Sequence, residues 1–118
     1  METRPVGRTE LRVTELSFGC ASLGNLYTRV EDDDAQAVLE RAWYHGIRYF
    51  DTAPHYGRGL SEARLGAFLK GRNRSDFVVS TKVGRLLSPG AQLAEADGFV
   101  DPLPNDVRYD YSGDGIEA

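Results

Sequence analysis

The chain has 118 residues, of which 41% are hydrophobic, 10% aromatic and 27% charged, a composition typical of one globular domain. Fourteen Lys and Arg against eighteen Asp and Glu leave a formal net charge of −4, and no basic stripe interleaved with aromatics is present, which argues against nucleic acid as a partner. No apolar run approaches the ~20 residues that cross a bilayer, so no membrane span is expected. The single cysteine, Cys20, excludes an internal disulfide and a cysteine-based zinc cluster. Because the first residues lack the apolar core of a signal peptide, the expected compartment is the cytoplasm.

The chain opens with a pattern typical of a small hairpin over residues 4–14. Two short runs, 4–6 and 11–13, flank the turn-forming segment 7–10. We expect this hairpin to lie outside the main sheet. The apolar run at residues 16–20 then predicts a first buried strand.

Two helices are predicted next. Apolar residues recur at helical spacing on one face of the first, at Ala35, Val38, Leu39, Ala42 and Trp43. The acids at 31–34 suit the positive end of its dipole and supply an N-cap, and Gly46 is expected to close it in the left-handed conformation. The second helix is indicated by Leu65, Phe68 and Leu69. Ser61 is its expected N-cap, and Gly71 follows its end.

Apolar runs after each helix, at residues 47–50 and 77–81, predict two further buried strands. With the run at 16–20, strand centres recur about every thirty residues and each pair is bridged by a helix, which is the βαβ pattern. Strands joined in this way run parallel. A parallel sheet needs cover on both faces or closure into a barrel.

The sequence pattern changes after Lys82. Glycines and prolines punctuate residues 84–114 with little periodicity, which predicts a long loop. Loops of this length are usually functional, so a lid or substrate loop is favoured over a linker. Residues 115–118 indicate the start of a third helix.

Three polar residues are expected to meet where the strands lead into helices, which is the rim where ligands bind in parallel α/β sheets. Asp51 ends the second strand, Lys82 ends the third, and Tyr56 follows Asp51 in the connecting loop. A tyrosine with a pKa of about 10 is a poor proton relay near pH 7, whereas a neighbouring ammonium stabilises the phenolate. The trio therefore suits proton transfer to a carbonyl oxygen. A solvated Asp–Lys pair with the tyrosine packed in the loop is the alternative.

Several motifs resemble the N-terminal signature of the aldo-keto reductases. They are LSFGCASLGNL at 16–26, GIRYFDTAPHYG at 46–57, SE at 61–62, LG at 65–66 and STKVG at 80–84. The resemblance spans residues 4–85 in the family's order and spacing. Within the family, STKVGRLL at 80–87 and YDYS at 109–112 look most like the branch of aldose 1-dehydrogenases and pyridoxal 4-dehydrogenase.

The resemblance implies a (β/α)8 barrel that binds NADP or NAD and transfers hydride reversibly between the nicotinamide and a carbonyl, alcohol or sugar hemiacetal. It implies that three catalytic tetrad members are present, with Tyr56 as proton donor, Lys82 as the group that lowers the pKa of the tyrosine, and Asp51. It also implies that the cofactor site includes Gly19, Cys20, Asp51, Tyr56 and Lys82. The fourth tetrad member, a histidine, has no match in this chain.

Neither histidine of the chain takes that place. His45 ends the first helix on the opposite rim, whereas His55 neighbours Tyr56 and is expected to line the substrate opening. No metal site is expected, because the three aspartates at 32–34 are better explained by the helix dipole.

The expected fold class is thus α/β, the N-terminal part of a (β/α)8 barrel with a hairpin and about three βα units. Residues 1–118 then form a single incomplete barrel domain, with the hairpin at 4–14, three strands and two helices at 15–83, and the long loop at 84–114. Such a truncated chain is expected to be inactive alone or to need a complementary fragment. The alternative is a small, non-catalytic α/β binding or regulatory module that retains the motif.

Overall fold

A computed structural model describes residues 1–90 and 97–118. Seven strands and three α-helices lie in these ranges, in the order β1 (Thr3–Pro5), β2 (Arg12–Thr14), β3 (Phe18–Gly19), α1 (Asp32–Tyr44), β4 (Tyr49–Asp51), α2 (Leu60–Leu69), β5 (Val78–Ser80), β6 (Arg85–Pro89), β7 (Asn105–Tyr109) and α3 (Gly113–Glu117). Short 3-10 turns precede α1, α2 and β5, at Ser22–Gly24, Tyr56–Gly59 and Arg74–Asp76.

The central sheet has the order β3-β4-β5, and both pairings are parallel. This confirms the two predicted βαβ units. The register aligns Gly19 with Asp51, and Asp51 with Ser80. These three strand ends therefore lie side by side. The strands pair over only two or three residues, so β5 ends at Ser80 and Lys82 stands two residues beyond it.

The core lies between this sheet and the helices α1 and α2. Phe50 is fully buried at its centre, and its ring neighbours those of Phe18, Trp43 and Phe68. Because side chains alternate along a strand, Tyr49 and Asp51 point to the opposite face from Phe50. The apolar spacing of the helices thus buries one face of the sheet, and polar residues occupy the other.

The helix ends correct two predictions. Glu31 holds the N-cap position of α1 but makes no side-chain capping bond, so the acids contribute charge at the dipole rather than a cap. Ser61 is not the N-cap of α2, because Gly59 is. The Ser61 hydroxyl is buried and donates instead to the Cys20 carbonyl at 2.7 Å. Gly46 does adopt the left-handed conformation after α1, with φ of 89°.

The hairpin at the start of the chain consists of β1 and β2, which pair antiparallel outside the central sheet. None of the helices in the described ranges is long and apolar enough to cross a membrane.

The prediction of one long loop over 84–114 is wrong in part, because β6 and β7 pair there as an antiparallel ribbon. No tight turn joins these strands: β6 ends at Pro89 and β7 begins at Asn105, so local turn signals could not reveal the pairing. Part of the predicted loop, residues 91–96, lies outside the described residues. The predicted third helix is present as α3.

Candidate active site

Asp51 stands at the end of β4 and accepts two hydrogen bonds. The Ser80 hydroxyl donates to Oδ1 at 2.6 Å, and the Lys82 ammonium donates to Oδ2 at 2.9 Å. The bond from Ser80 and the bond from Lys82 both favour the carboxylate and hold the pKa of Asp51 below its ordinary 3.8. Asp51 is therefore an anion at neutral pH with both oxygens occupied.

Lys82 is held at three points. Its ammonium donates to Asp51 and to the Thr52 carbonyl at 2.9 Å, and it lies 5.0 Å from the centre of the Tyr56 ring. Burial lowers the pKa of Lys82, but the hydrogen bond to Asp51 and the interaction with the Tyr56 phenol outweigh it, so the pKa lies above its ordinary 10.5. The side chain is half exposed. The ammonium is thus charged, oriented and accessible from solvent.

Tyr56 begins the turn Tyr56–Gly59, which we call the Tyr56 turn. This turn packs against the turn Ser22–Gly24 with no room for another side-chain atom. A Cβ on Gly24 would lie 2.5 Å from the Tyr56 carbonyl carbon, and a Cβ on Gly57 would lie 2.6 Å from the Gly24 oxygen. The phenol therefore projects from backbone that is held close to the core.

The three residues predicted to meet at the rim, Asp51, Tyr56 and Lys82, are brought together by the fold. A cleft of about 210 Å³ opens beside Tyr56 and Lys82. Its lining also includes His55, Arg85 and Tyr111. The chemistry at one end of this cleft is a phenol beside an ammonium, and the ammonium is itself anchored by a carboxylate.

His55 lines this cleft, as expected. Burial and the positive charge of Arg85 lower the pKa of His55 below its ordinary 6.5, so the imidazole is neutral at pH 7. Its Nε2 lies 3.8 Å from a carboxylate oxygen of Asp97, and its Nδ1 is buried with no hydrogen-bond partner among the described residues. His45 is exposed after α1 and stacks edge-on against Tyr44, which keeps it out of the site.

Gly19 and Cys20 differ in what they can offer to a cofactor. Gly19 is exposed at the end of β3, and none of the described residues lies within 4 Å of the position that a Cβ would take. Cys20 is fully buried, and burial together with the charge of Asp51 raises the pKa of its thiol to about 12. Only the backbone of Cys20 reaches the site, where its N–H donates to the Asp51 carbonyl at 2.8 Å.

Sequence reasoning missed Ser80 and Thr52, which complete the contacts of Asp51 and Lys82. A signal for Ser80 was available: it precedes Lys82 by two residues, and alternation along a strand puts both on one face. Sequence reasoning also missed Arg58 and Asp97, which are joined by a hydrogen bond of 2.9 Å. They are 39 residues apart, and no local pattern connects them.

Comparison with known proteins gives one consistent result. Residues 15–116 match the aldo/keto reductase family. The chain is 50% identical over 113 residues to a D-threo-aldose 1-dehydrogenase from a Pseudomonas species, covering 92% of this chain and 34% of that protein. It is 44% identical over 125 residues to a pyridoxal 4-dehydrogenase from Microbacterium luteolum, covering 98% of this chain and 36% of that protein.

The same result comes from solved structures. The fold is similar to an aldo-keto reductase from Bacillus halodurans solved in its holo form, with a TM-score of 0.67 and 38% identity over 85% of this chain and 30% of that one. The chain thus spans about a third of the length of the curated relatives it matches. Its described residues form three separate sheets and no closed barrel.

Proposed function

Because this chain belongs to the aldo/keto reductase family, we propose that it carries three catalytic residues of an NAD(P)-dependent oxidoreductase. The reaction is reversible hydride transfer between a nicotinamide and a carbonyl, an alcohol or a sugar hemiacetal. The observation that supports this most is the placement of the Lys82 ammonium, which contacts Asp51 at 2.9 Å and lies 5.0 Å from the Tyr56 ring centre.

Tyr56 is the proton donor in this proposal. In the reducing direction its phenol O–H gives a proton to the carbonyl oxygen, and in the oxidising direction the phenolate takes the proton back. A neighbouring ammonium stabilises the phenolate formed in the first case. Lys82 is well suited to this because its own pKa is raised and the charge is retained through the relevant pH range.

Asp51 orients the ammonium. With one oxygen held by Ser80 and the other by Lys82, the carboxylate cannot turn away from the lysine without losing a bond. The Thr52 carbonyl supplies a second acceptor for the same ammonium. Asp51 and Thr52, at the end of β4, therefore hold Lys82 in place beside Tyr56.

The described residues fit a nicotinamide at this rim. Gly19 leaves open backbone beside Asp51, and the cleft next to Tyr56 has room for a small substrate. The nicotinamide, when bound, supplies or accepts the hydride. The residues that would hold it are Gly19, Asp51, Tyr56 and Lys82 with the backbone of Cys20, and we propose NADP or NAD without a preference.

For the substrate we propose an aldose, oxidised at its C1 hemiacetal, with pyridoxal as the second candidate. The two relatives reported above are named for these reactions. Because no histidine of this chain matches the fourth tetrad member, we expect residues 1–118 to be inactive alone or to need a complementary fragment, although Asp51, Tyr56 and Lys82 are in place.

Two measurements test the function: an NADPH and NADH fluorescence titration of the chain, and nicotinamide absorbance during turnover of aldoses by the chain co-expressed with a complementary fragment of the barrel. Tyr56→Phe should lower kcat by at least about 100-fold, because it removes the proton donor. The matched control is Tyr44→Phe, which changes a tyrosine that is 77% exposed at the end of α1. A wild-type chain that unfolds cooperatively yet binds neither nicotinamide would contradict the proposal and favour a non-catalytic module.

A further inference from the structure

Arg58 is an unusual residue in the Tyr56 turn. It is 5% exposed, and its backbone adopts the left-handed conformation with φ of 52° and ψ of 47°. A side chain other than glycine is strained in that region, and such strain persists only where surrounding contacts determine the conformation. The glycines on both sides adopt such backbone conformations without strain, whereas the left-handed conformation of the arginine must be stabilised by its side-chain contacts.

The Arg58 guanidinium makes such contacts, and they join two distant parts of the chain. It donates to Asp97 Oδ2 at 2.9 and 3.2 Å and to the Asn105 carbonyl at 2.9 Å. In return, the Asn105 side-chain amide donates to the Arg58 carbonyl at 2.8 Å. The bonds run in both directions between the Tyr56 turn and the residues that lead into β7.

The backbone strengthens the same junction. The Leu103 N–H donates to the Gly57 carbonyl at 3.0 Å. The ring of Phe99 lies 6.0 Å from that of Tyr56 and 5.7 Å from that of His55, between centroids. The described segment 97–105 therefore covers the Tyr56 turn on the side away from the core.

A buried guanidinium cannot be left without partners, because an unpaired buried charge is strongly destabilising. Segment 97–105 supplies three of the hydrogen bonds that Arg58 makes, so displacing this segment would weaken the pairing of the buried charge. Conversely, the turn that carries Tyr56 is held on one side by the close approach of Gly24 and Gly57, and on the other by Arg58.

We propose that Arg58 is a positioning residue for Tyr56: its guanidinium fastens the Tyr56 turn to segment 97–105 and thereby holds the phenol beside Lys82. The inference rests on the function proposed above for Tyr56, but the structural coupling can be measured without turnover. Arg58 itself takes no part in proton transfer.

The deciding variant is Arg58→Met, which keeps an unbranched side chain and removes the guanidinium. The matched control is Arg72→Met. Arg72 is also a largely buried arginine. Among the described residues it bonds Glu40 of α1 and the Phe68 carbonyl of α2, and it packs on the Phe68 ring rather than on a residue of the site. Arg58→Met loses a buried cation and Arg72→Met loses a cation whose side chain is 22% exposed, so a general loss of stability affects both variants.

The first readout is amide hydrogen exchange of Leu103 with the NMR shifts of the Tyr56 ring. We expect exchange at Leu103 to rise at least about tenfold and the ring shifts to move in Arg58→Met, but not in Arg72→Met. A folded Arg58→Met chain with unchanged Leu103 exchange and unchanged Tyr56 ring shifts would overturn the proposal. If Arg58→Met fails to fold, Asp97→Asn decides in the same way, because it weakens the same junction and keeps its shape.

The second readout separates positioning from folding where turnover is measurable. We expect kcat to fall between about 10- and 100-fold in Arg58→Met, with KM for the nicotinamide cofactor within about twofold, because a small misplacement of a catalytic group costs this much. In Arg58→Gly, added guanidinium ion should restore part of kcat, whereas sodium at the same concentration should not. An unchanged kcat in Arg58→Met would overturn the proposal. A folded wild-type chain that binds neither nicotinamide would instead count against the proposed function, and the exchange measurement would still decide the role of Arg58.

Discussion

Ser80 makes the shortest hydrogen bond to Asp51, although it was not among the predicted site residues. Its hydroxyl also lies 3.1 Å from the Tyr49 hydroxyl, which restrains it on the polar face of the sheet. The charge state of Asp51 is therefore set first by a neutral neighbour and second by Lys82.

Ser80→Ala should raise the pKa of Asp51 towards 3.8, as measured by carbon-13 NMR of the carboxyl group, because it removes the bond that contributes most to the lowered pKa. Because the pKa of Asp51 is lower in the folded than in the unfolded chain, its ionisation stabilises the fold at pH values above the unfolded-state pKa of about 3.9. This contribution to the free energy of unfolding is lost as the pH falls through the folded-state pKa. Acid unfolding should therefore begin at a higher pH in Ser80→Ala. Ser75→Ala is the control, since the hydroxyl of the exposed Ser75 donates to the exposed Asp76, outside the site; an Asp51 pKa equal in the two variants would contradict this role.

Cys20 is chemically protected by the fold. Burial raises the pKa of its thiol from an ordinary 9.0 to about 12, so the thiolate at pH 8 is much scarcer than in an unfolded chain. Because the side chain is also fully buried, labelling with a disulfide reagent should be more than about tenfold slower in the native chain than in denaturant. A cysteine introduced as Ser75→Cys, at an exposed position, should react quickly in a Cys20→Ser background. Native labelling of Cys20 within tenfold of the unfolded rate would show that the core opens readily.

At the level of elements, the site depends on the contact between two short turns. The turn Ser22–Gly24 follows β3 and the Tyr56 turn follows β4, and their backbones meet where Gly24 faces Gly57. Parallel pairing of the two strands brings the loops that follow them to the same edge of the sheet.

Gly24→Ala should destabilise the chain by about 1–3 kcal/mol and move the Tyr56 ring. The new methyl group would overlap the backbone of Tyr56, which cannot move aside as a flexible side chain can. Gly66→Ala is a matched control inside α2. Nothing lies within 4 Å of its new Cβ, so it should stabilise the helix by about 0.5–1 kcal/mol. Both changes in the free energy of unfolding can be measured by urea unfolding. Equal effects of the two substitutions would mean that the turns do not pack as described.

The ribbon of β6 and β7 is the second element that shapes the site. Gly84 has a φ of 94°, and the Tyr111 ring lies where its Cβ would stand, 2.0 Å from that position. Tyr111 therefore packs against the backbone that follows Lys82. Arg85 of β6 and Tyr111, from a segment with no sequence periodicity, line the cleft beside Tyr56 and Lys82.

At the scale of the molecule, one aromatic core holds the rim in place. Phe50 is fully buried, and its ring lies 6.4 Å from that of Trp43 and 5.9 Å from that of Phe68. It belongs to the same strand as Asp51, one residue earlier, so the core and the site are connected by a single peptide unit.

Phe50→Ala should cost about 3–5 kcal/mol, which is a large part of the ~5–15 kcal/mol that domains of this size possess. We expect the melting temperature to fall by more than about 10 °C in circular dichroism, with nicotinamide binding lost at the same time. Tyr44→Ala removes an aromatic ring from the exposed end of α1 and should change stability by no more than about 0.5 kcal/mol. A small effect of Phe50→Ala would place the main core elsewhere.

Much of the architecture follows from the sequence by itself. Helical spacing of apolar residues locates α1 and α2, and the thirty-residue recurrence of short apolar runs predicts parallel strands between them. Both signals are local and periodic. They also bring Asp51, Tyr56 and Lys82 to one rim, because the carboxyl ends of parallel strands share an edge. The motif that resembles the aldo-keto reductases identified the family, and residues 15–116 match it.

Only the tertiary structure decided which residues are hydrogen-bonded to those of the site and of the Tyr56 turn. Ser80 on Asp51, Ser61 on the Cys20 carbonyl and Arg58 on Asp97 join residues that are 29, 41 and 39 positions apart. The pairing of β6 with β7 joins strands that are separated by residues 90–104, a distance over which turn signals in the sequence do not specify which strands pair. A hydrogen bond depends on distance and direction in space, and a one-dimensional pattern carries that information only for residues within one element. The positions of the three residues proposed to carry the chemistry were therefore readable from the sequence, and the residues that hold them in position were not.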